Sequence, residues 1–318
     1  MRCQSPLFFH TATLGRVERL FRDLSFQAKL QVTLARFRAQ MALGRAPVVT
    51  YATYRTSSTA VHRALRRALG GRTIKAHALA PAHLTSGLSA AQQRIAGSGV
   101  PLNRHVGDWV VNRLIVQPRR PAKFIILVRD PVAVAASSFA VGDDWRDPSL
   151  APFSFDRVDS ADRAERTDRS DHAAAPSTDA LAALERVFYD GRFPWQIMAR
   201  WFDEDVLPAL GWDVYAQPFD RAAGVLRTQH GPWEILLLRA DLADERKSAA
   251  IAQFTGLPVL DLRQENSARE RGHSARAAAV RQAIARRPHA VAQLLDSRFT
   301  RHFWTDAEVA AMRAKWIA

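Results

Sequence analysis

Cysteine is almost absent: Cys3 is the only one in 318 residues. No disulfide and no cysteine-based metal site can form within one chain, which fits a reducing compartment. Long apolar runs are missing as well. The run from Pro6 to Phe9 is far too short for the core of a secretory signal. No window approaches the roughly 20 apolar residues of a membrane span. The expected location is therefore cytoplasmic. The glycine-rich loop GxxxxGK[ST] of nucleoside triphosphatases is also absent, which counts against a kinase. No internal repeat is visible.

What is present is an ordinary globular balance. The chain is 47% hydrophobic and 24% charged, and its length can bury a sizeable core in one large domain or two small ones. The net charge is +14. A basic surface attracts nucleic acid, anionic lipid or polyanionic substrates. Here arginine greatly outnumbers lysine and alanine is abundant, the signature of a GC-rich coding bias. The excess is spread along the chain rather than gathered in one run, which argues against a nucleic-acid partner. Residues 143–180 depart from this balance, with ten acidic residues against five arginines and little periodicity. They read as a long, partly disordered insertion.

Apolar residues recur at helical spacing through 14–43: Leu14, Val17, Leu20, Phe21 and Leu24, then Leu30, Leu34, Phe37 and Met41. This is an amphipathic, basic helical segment. It packs on the core or lies on a membrane surface. Residues 1–45 are taken as this segment and 46–318 as the main domain. Pro47–Thr53 reads as a buried strand running into the polar turn 54–59. A helix follows from Val61 and stops at Gly70-Gly71. Thr73–Leu79 is a second strand, residues 103–116 a helix, and Lys123–Val128 a strongly apolar strand. Pro131 opens the next helix, where its missing N–H costs nothing. Further strands are expected at Asp213–Gln217 and Trp233–Leu238, with helices over 181–209 and most of 244–317. Alternation of this kind predicts an α/β fold, a parallel sheet with crossover helices on both faces. Ligands bind at the carboxyl ends of such strands.

Both of the first apolar strand ends carry a polar, arginine-bearing turn. The turn after the first strand, Arg55-Thr56-Ser57-Ser58-Thr59, sets hydroxyls, backbone N–H groups and a positive charge at a helix start. That is an anion site, or a Ser/Thr-rich helix cap. Arg129 ends the Lys123–Val128 strand, and Ser137 lies two turns into the next helix. The arginine can pair with a phosphate, or Arg129-Asp130-Pro131 is an ion pair with a helix start. Lys75 and His77 lie two residues apart and project to one strand face. A neutral histidine there can take a proton near neutral pH, or it is a satisfied histidine beside the core.

In combination these residues resemble the phosphoadenosine-phosphosulfate (PAPS) dependent sulfotransferases. Arg55, Thr56, Ser57, Ser58 and Thr59 fall on the K-S-G-T-T of that family's T-Y-P-K-S-G-T-T loop. Arg129, Asp130, Pro131 and Ser137 match R-[ND]-P-x-[DA]-x-x-x-S. Lys75-Ala76-His77 keeps the spacing of K-T-H. The chain is also similar to bacterial capsular polysaccharide synthesis proteins. It shares with them Val128-Arg-Asp-Pro131, Trp201-Phe-Asp203, Asp213-Val-Tyr-Ala-Gln-Pro-Phe-Asp220 and Leu236-Leu-Leu-Arg-Ala-Asp-Leu242. In this chain the family lysine is Arg55 and the family glycine is Ser57. No counterpart of the C-terminal R-K-G clamp is evident beyond a weak Arg269-Glu-Arg271-Gly272.

The resemblance implies a P-loop-like sheet and transfer of a sulfuryl group from PAPS to a hydroxyl of a carbohydrate or glycan, without a metal. It implies His77 as base, with Arg55 and Lys75 stabilising charge. Arg55, Thr56, Ser57, Ser58 and Thr59 would hold the 5′-phosphate, and Arg129 and Ser137 the 3′-phosphate. A non-catalytic capsule-assembly scaffold and a kinase-like nucleotide transferase are the alternatives.

Overall fold

The computed structural model describes residues 27–53, 55–82, 106–141, 177–190, 195–262 and 274–317. Among them, β1 (Val48–Tyr51), β2 (Thr73–Ala76), β3 (Ala122–Val128), β4 (Val225–His230) and β5 (Trp233–Arg239) form one sheet in the order β2-β1-β3-β5-β4. The first four strands in that order run parallel, and β4 returns antiparallel to β5. The protein is thus α/β, with a mostly parallel five-stranded sheet. β3 is buried everywhere except Lys123. A strand covered on both faces reads as an unbroken apolar run, which is why it was legible.

β4 alternates between half-buried and exposed residues and carries no apolar run. It was not expected from the sequence. It exists because Gly231, at φ 55°, makes a two-residue turn with Pro232 into β5. The strand expected at Asp213–Gln217 is instead a 3₁₀ turn, Val214–Ala216. Two local bonds close it. The Asp213 carboxylate accepts from Tyr215 N at 2.9 Å, and Gln217 N donates to Val214 O at 3.1 Å. Self-satisfied backbone has no use for a sheet partner.

Helices cover both faces. α1 (residues 27–42) lies on one face with α3 (Val106–Val111), α6 (residues 197–210) and α10 (Arg298–Phe303). α6 joins Ile197–Trp201, a π-helical turn Phe202–Val206 and Leu207–Leu210 without a break. Leu30, Leu34 and Phe37 of α1 sink into this core. The apolar stripe of the described part of the amphipathic segment is therefore spent on the sheet. α2 (Ser58–Leu69) and α7 (Asp244–Thr255) cover the other face through Val61, Ala64, Leu65, Ile251 and Phe254. A third cluster joins α4 (Pro131–Val141), α5 (Thr178–Asp190), α8 (Ser274–Ala285), α9 (Pro288–Leu295) and α11 (Asp306–Ile317). Residues 143–176 of the expected insertion lie outside the described residues, and α5 already begins before its expected end. No helix among the described residues is long and apolar enough to cross a membrane.

The C-terminal helix α11 is pinned at both ends. Thr305 and Glu308 form a capping box: Thr305 N donates to Glu308 Oε2 (2.8 Å), and Glu308 N donates to Thr305 Oγ1 (3.3 Å). The same carboxylate takes both terminal nitrogens of Arg239 at 2.6 and 2.9 Å, at the end of β5. Asp241 takes Nε and Nη2 of Arg239, and the guanidinium stacks over Trp304. At the other end Trp316 Nε1 donates to Asp130 Oδ2 at 2.8 Å.

Burial alone would raise the pKa of Glu308, but the hydrogen bonds from Arg239 and Thr305 prevail and hold it at about 2, against an ordinary 4.5. A carboxylate depressed in the folded chain adds stability above about pH 4.5, and this is lost as the pH falls towards 2. Glu308→Gln is expected to lower the thermal midpoint most near neutral pH. The gap to wild type should close progressively below about pH 4.5 in melts recorded across that range.

Candidate functional site

Strand order reverses at β1. The chain steps to β2 on one side and β3 on the other, and at such a reversal the carboxyl ends of the flanking strands, here β1 and β3, bound the crevice in which open α/β sheets bind ligands. The turn after β1 stands on this crevice. Arg55 and Ser57 have positive φ, 65° and 61°. Non-glycine residues tolerate this at about 1 kcal/mol or more each. Ser57 thus takes the left-handed conformation that a glycine at this loop position would supply. It is the N-cap of α2 yet makes no side-chain cap, and the first turn of α2 has no acidic residue. The first turn of the helix itself therefore supplies no carboxylate to balance its positive end.

The hydroxyls of the turn divide. Thr56 is fully buried, and its Oγ1 donates to Thr53 O at 3.0 Å. Ser58 is only 3% exposed. Of the five residues expected to hold an anion, Thr56 thus has its hydroxyl hydrogen engaged within the turn. Ser57 is exposed, and Arg55 and Thr59 are half-buried.

Arg129, at the end of β3, reaches across the crevice and donates from Nη1 to Arg55 O at 2.7 Å. This bond pins the strained turn against the neighbouring strand. A guanidinium has five N–H donors, so one such bond does not exhaust it. Burial pulls the pKa of Arg129 down, against the opposing charges of Asp130 and Asp241. Asp130 is occupied elsewhere. Its Oδ1 accepts from Val132 N (2.9 Å) and Ala133 N (3.1 Å), capping α4, and its Oδ2 accepts from Trp316. The aspartate of Arg-Asp-Pro is thus a helix cap and an anchor for α11, and Arg129 is left facing the crevice.

β2 supplies the third side. In the parallel register Thr50 pairs with Lys75 and Ile125, so Lys75 points to the α2 face of the sheet. Its Nζ donates to Thr59 Oγ1 at 2.8 Å. His77 follows the strand, and its Nδ1 lies 2.7 Å from Ala52 O. A carbonyl can only accept, so Nδ1 carries the proton and neutral His77 keeps its lone pair on Nε2. That is the tautomer a general base needs.

The segment after β2 is neither strand nor helix, so its N–H groups require acceptors. Two buried aspartates provide them. Asp108 Oδ1 accepts from His77 N (2.6 Å) and Ala78 N (3.3 Å). Asp205 accepts from Leu79 N (2.9 Å), Ala80 N (2.5 Å), Tyr51 Oη (2.8 Å) and Trp201 Nε1 (3.2 Å). Asn112 Nδ2 donates to Leu79 O at 3.3 Å. Asn112 opens one π-helical turn, Asn112–Val116, and Asp205 lies in the other. Such turns insert an extra residue into a helix and re-aim its side chains. Burial first, then the charge of Asp205, drives the pKa of Tyr51 well above its ordinary value, so its hydroxyl remains a donor.

Arg55 and Arg129 are therefore joined directly, Lys75 is joined to Thr59, and His77 is fixed to the strand that bears the turn. Ser137 is half-buried on α4, and no described contact ties it to Arg129. Tyr54 and the weak Arg269–Gly272 candidate lie outside the described residues. Sequence reasoning missed Asp108, Asn112 and Asp205. Nothing local marks a carboxylate that acts across 126 residues on Leu79. Among the described residues no group of three or more His, Cys, Asp or Glu side chains could hold a metal ion. The chain matches no protein-family model, and no curated protein or solved structure is found similar to it.

Replacing Asp205 by Ala strands two backbone N–H groups, a phenol and an indole in the core. Each buried donor left unmatched costs about 1–3 kcal/mol. The variant is expected to lose at least about 3 kcal/mol in denaturant unfolding, far more than Asp203→Ala, whose carboxylate is partly exposed.

Proposed function

We propose that this protein is a sulfotransferase-like enzyme with a P-loop-like sheet, transferring a sulfuryl group from PAPS to a hydroxyl of a carbohydrate. The observation that carries the reading is the junction at the switch point. A left-handed turn at the positive end of α2 is tied by Arg129 to the next strand, with a base-competent His77 and Lys75 beside it. The carbohydrate acceptor and a role in capsule synthesis rest on the sequence resemblance.

In this reading the backbone N–H groups at the start of α2, with Ser57 and Thr59, hold the 5′-phosphate of the donor. Arg129 and Ser137 hold the 3′-phosphate. The acceptor oxygen attacks sulfur in line, and the sulfur–oxygen bond to the 5′-phosphate breaks. The acceptor proton passes to His77 Nε2, and adenosine 3′,5′-bisphosphate leaves. Arg55 and Lys75 stabilise the negative charge that builds on the transferred and leaving oxygens. Fixed N–H groups and cations favour this because they need no reorientation as the charge moves.

A second reading, a scaffold that has lost the chemistry, is favoured by the engagement of the buried Thr56 hydroxyl within its own turn. Calorimetric titration separates the two. Adenosine 3′,5′-bisphosphate is expected to bind in the micromolar range and AMP much more weakly. No binding of either to the folded protein would leave the scaffold. Arg129→Ala is expected to weaken adenosine 3′,5′-bisphosphate by about 1.5–3 kcal/mol, the scale of a charged hydrogen bond. His77→Ala should keep that affinity and abolish transfer. Wild-type turnover in His77→Ala would remove the histidine from the role of base.

A further inference from the structure

His77 is held more firmly than a histidine at a strand end needs to be. Its ring is fixed through Nδ1 to Ala52 O. Ala52 is itself locked, since its N–H donates to Ala76 O at 3.2 Å, extending the β1–β2 ladder by one residue. The backbone of His77 is fixed by the carboxylate of Asp108, which is 1% exposed. The approach of Asp108 depends on its neighbour. A Cβ at Gly107 would fall 1.9 Å from Lys75 O, so only glycine lets α3 close on the end of β2. The close approach allowed by this glycine brings a buried carboxylate against the backbone of His77.

We propose that Asp108 is a positioning residue for His77. By fixing the backbone of His77 it keeps Nδ1 against Ala52 O, and its negative charge raises the proton affinity of Nε2. The inference rests on the proposed role of His77 as base, but its content is a property of the side chain itself. Two N–H bonds to neutral backbone could be satisfied by a neutral oxygen. A carboxylate adds a charge in a low-dielectric site, where it acts strongly on a nearby imidazole. Among the described residues, the charges at this end of the sheet include Lys75 on β2, Arg55 on the turn, Arg129 after β3 and Asp205 on α6. The three cations oppose protonation of His77 and Asp205 favours it. His62, on α2, is held neutral near pH 7 by burial and by the charge of Lys75, with a pKa of about 4.

The test needs no substrate. In the full chain labelled with ¹⁵N-histidine, His77 is assigned by its loss in His77→Gln, and its ring nitrogens are followed by NMR across pH. Wild type is expected to show the Nδ1–H tautomer. Asp108→Asn and Asp108→Ser both retain an oxygen acceptor for the backbone and remove the charge. Each is expected to lower the pKa of His77 by about one pH unit or more, with unchanged circular dichroism. An unchanged pKa in either folded variant, or an Nε2–H tautomer in wild type, overturns the proposal. This outcome is independent of nucleotide titration. Binding of adenosine 3′,5′-bisphosphate with an unmoved His77 pKa would sink the positioning role alone. A shifted pKa without nucleotide binding would sink the sulfotransferase reading alone. Where transfer is measurable, the acid limb of kcat should move down by the same amount in Asp108→Asn, which a purely structural role would not produce.

Discussion

A strand that stops inside a protein leaves backbone N–H groups with nothing to bond, and most of this site is arranged around that demand. β2 ends at Ala76, and no helix takes over in the next four residues. The N–H groups of residues 77–80 all find aspartate oxygens, from Asp108 for the first two and Asp205 for the last two. Each unmatched group would cost as much as one or two ordinary contacts gain. The two carboxylates therefore fix the path of the chain at the point where His77 emerges. Helix geometry yields to the same demand, since π-helical turns begin at Asn112 and contain Asp205.

The basic character of the chain looks different once the contacts are known. Arg239 is consumed by two carboxylates, two carbonyls and an indole. Arg287 is spent on Glu185 and Asp190, with its guanidinium over Tyr189. Arg298 pairs with Asp203 and stacks on Tyr215. These arginines join secondary elements to one another. The planar guanidinium suits this because it bonds in its plane and stacks on its faces. Among the described residues, the basic groups placed at the carboxyl ends of β1, β2 and β3 are fewer and include Arg55, Lys75 and Arg129.

The parallel core was legible because burial on both faces writes itself as a continuous apolar run, as in Phe124–Val128 and Ile235–Leu238. α4 was legible through Pro131, and the strand-end turns through their arginines and hydroxyls. β4 was illegible because an antiparallel edge strand buries only half of each residue pair and needs no apolar run. Asp213–Gln217 looked like a strand because Val214 and Tyr215 suit one, but the Asp213 carboxylate closes a turn first. Within the site, spacing along the chain pointed to Lys75 and His77, whereas the burial of Thr56 and Ser58 depends on how α2 rolls onto the sheet. Asp108 and Asp205 are single polar residues in helices, and only the fold reveals what they meet.

The anchoring of α11 bears on the order in which the molecule can be made. Asp130 and Trp316 are separated by 186 residues, and Tyr51 and Asp205 by 154. Contacts of such span form late, because the intervening chain must close a large loop first. During synthesis, β1, β2 and β3 emerge with their crevice turns long before either anchor exists. The half-made chain thus passes through a stage in which three hydrophobic strands are exposed and the segment after β2 lacks the Asp205 carboxylate that fixes its path. Such a stage invites aggregation or capture by chaperones, and the crevice takes its final shape only with the last helix.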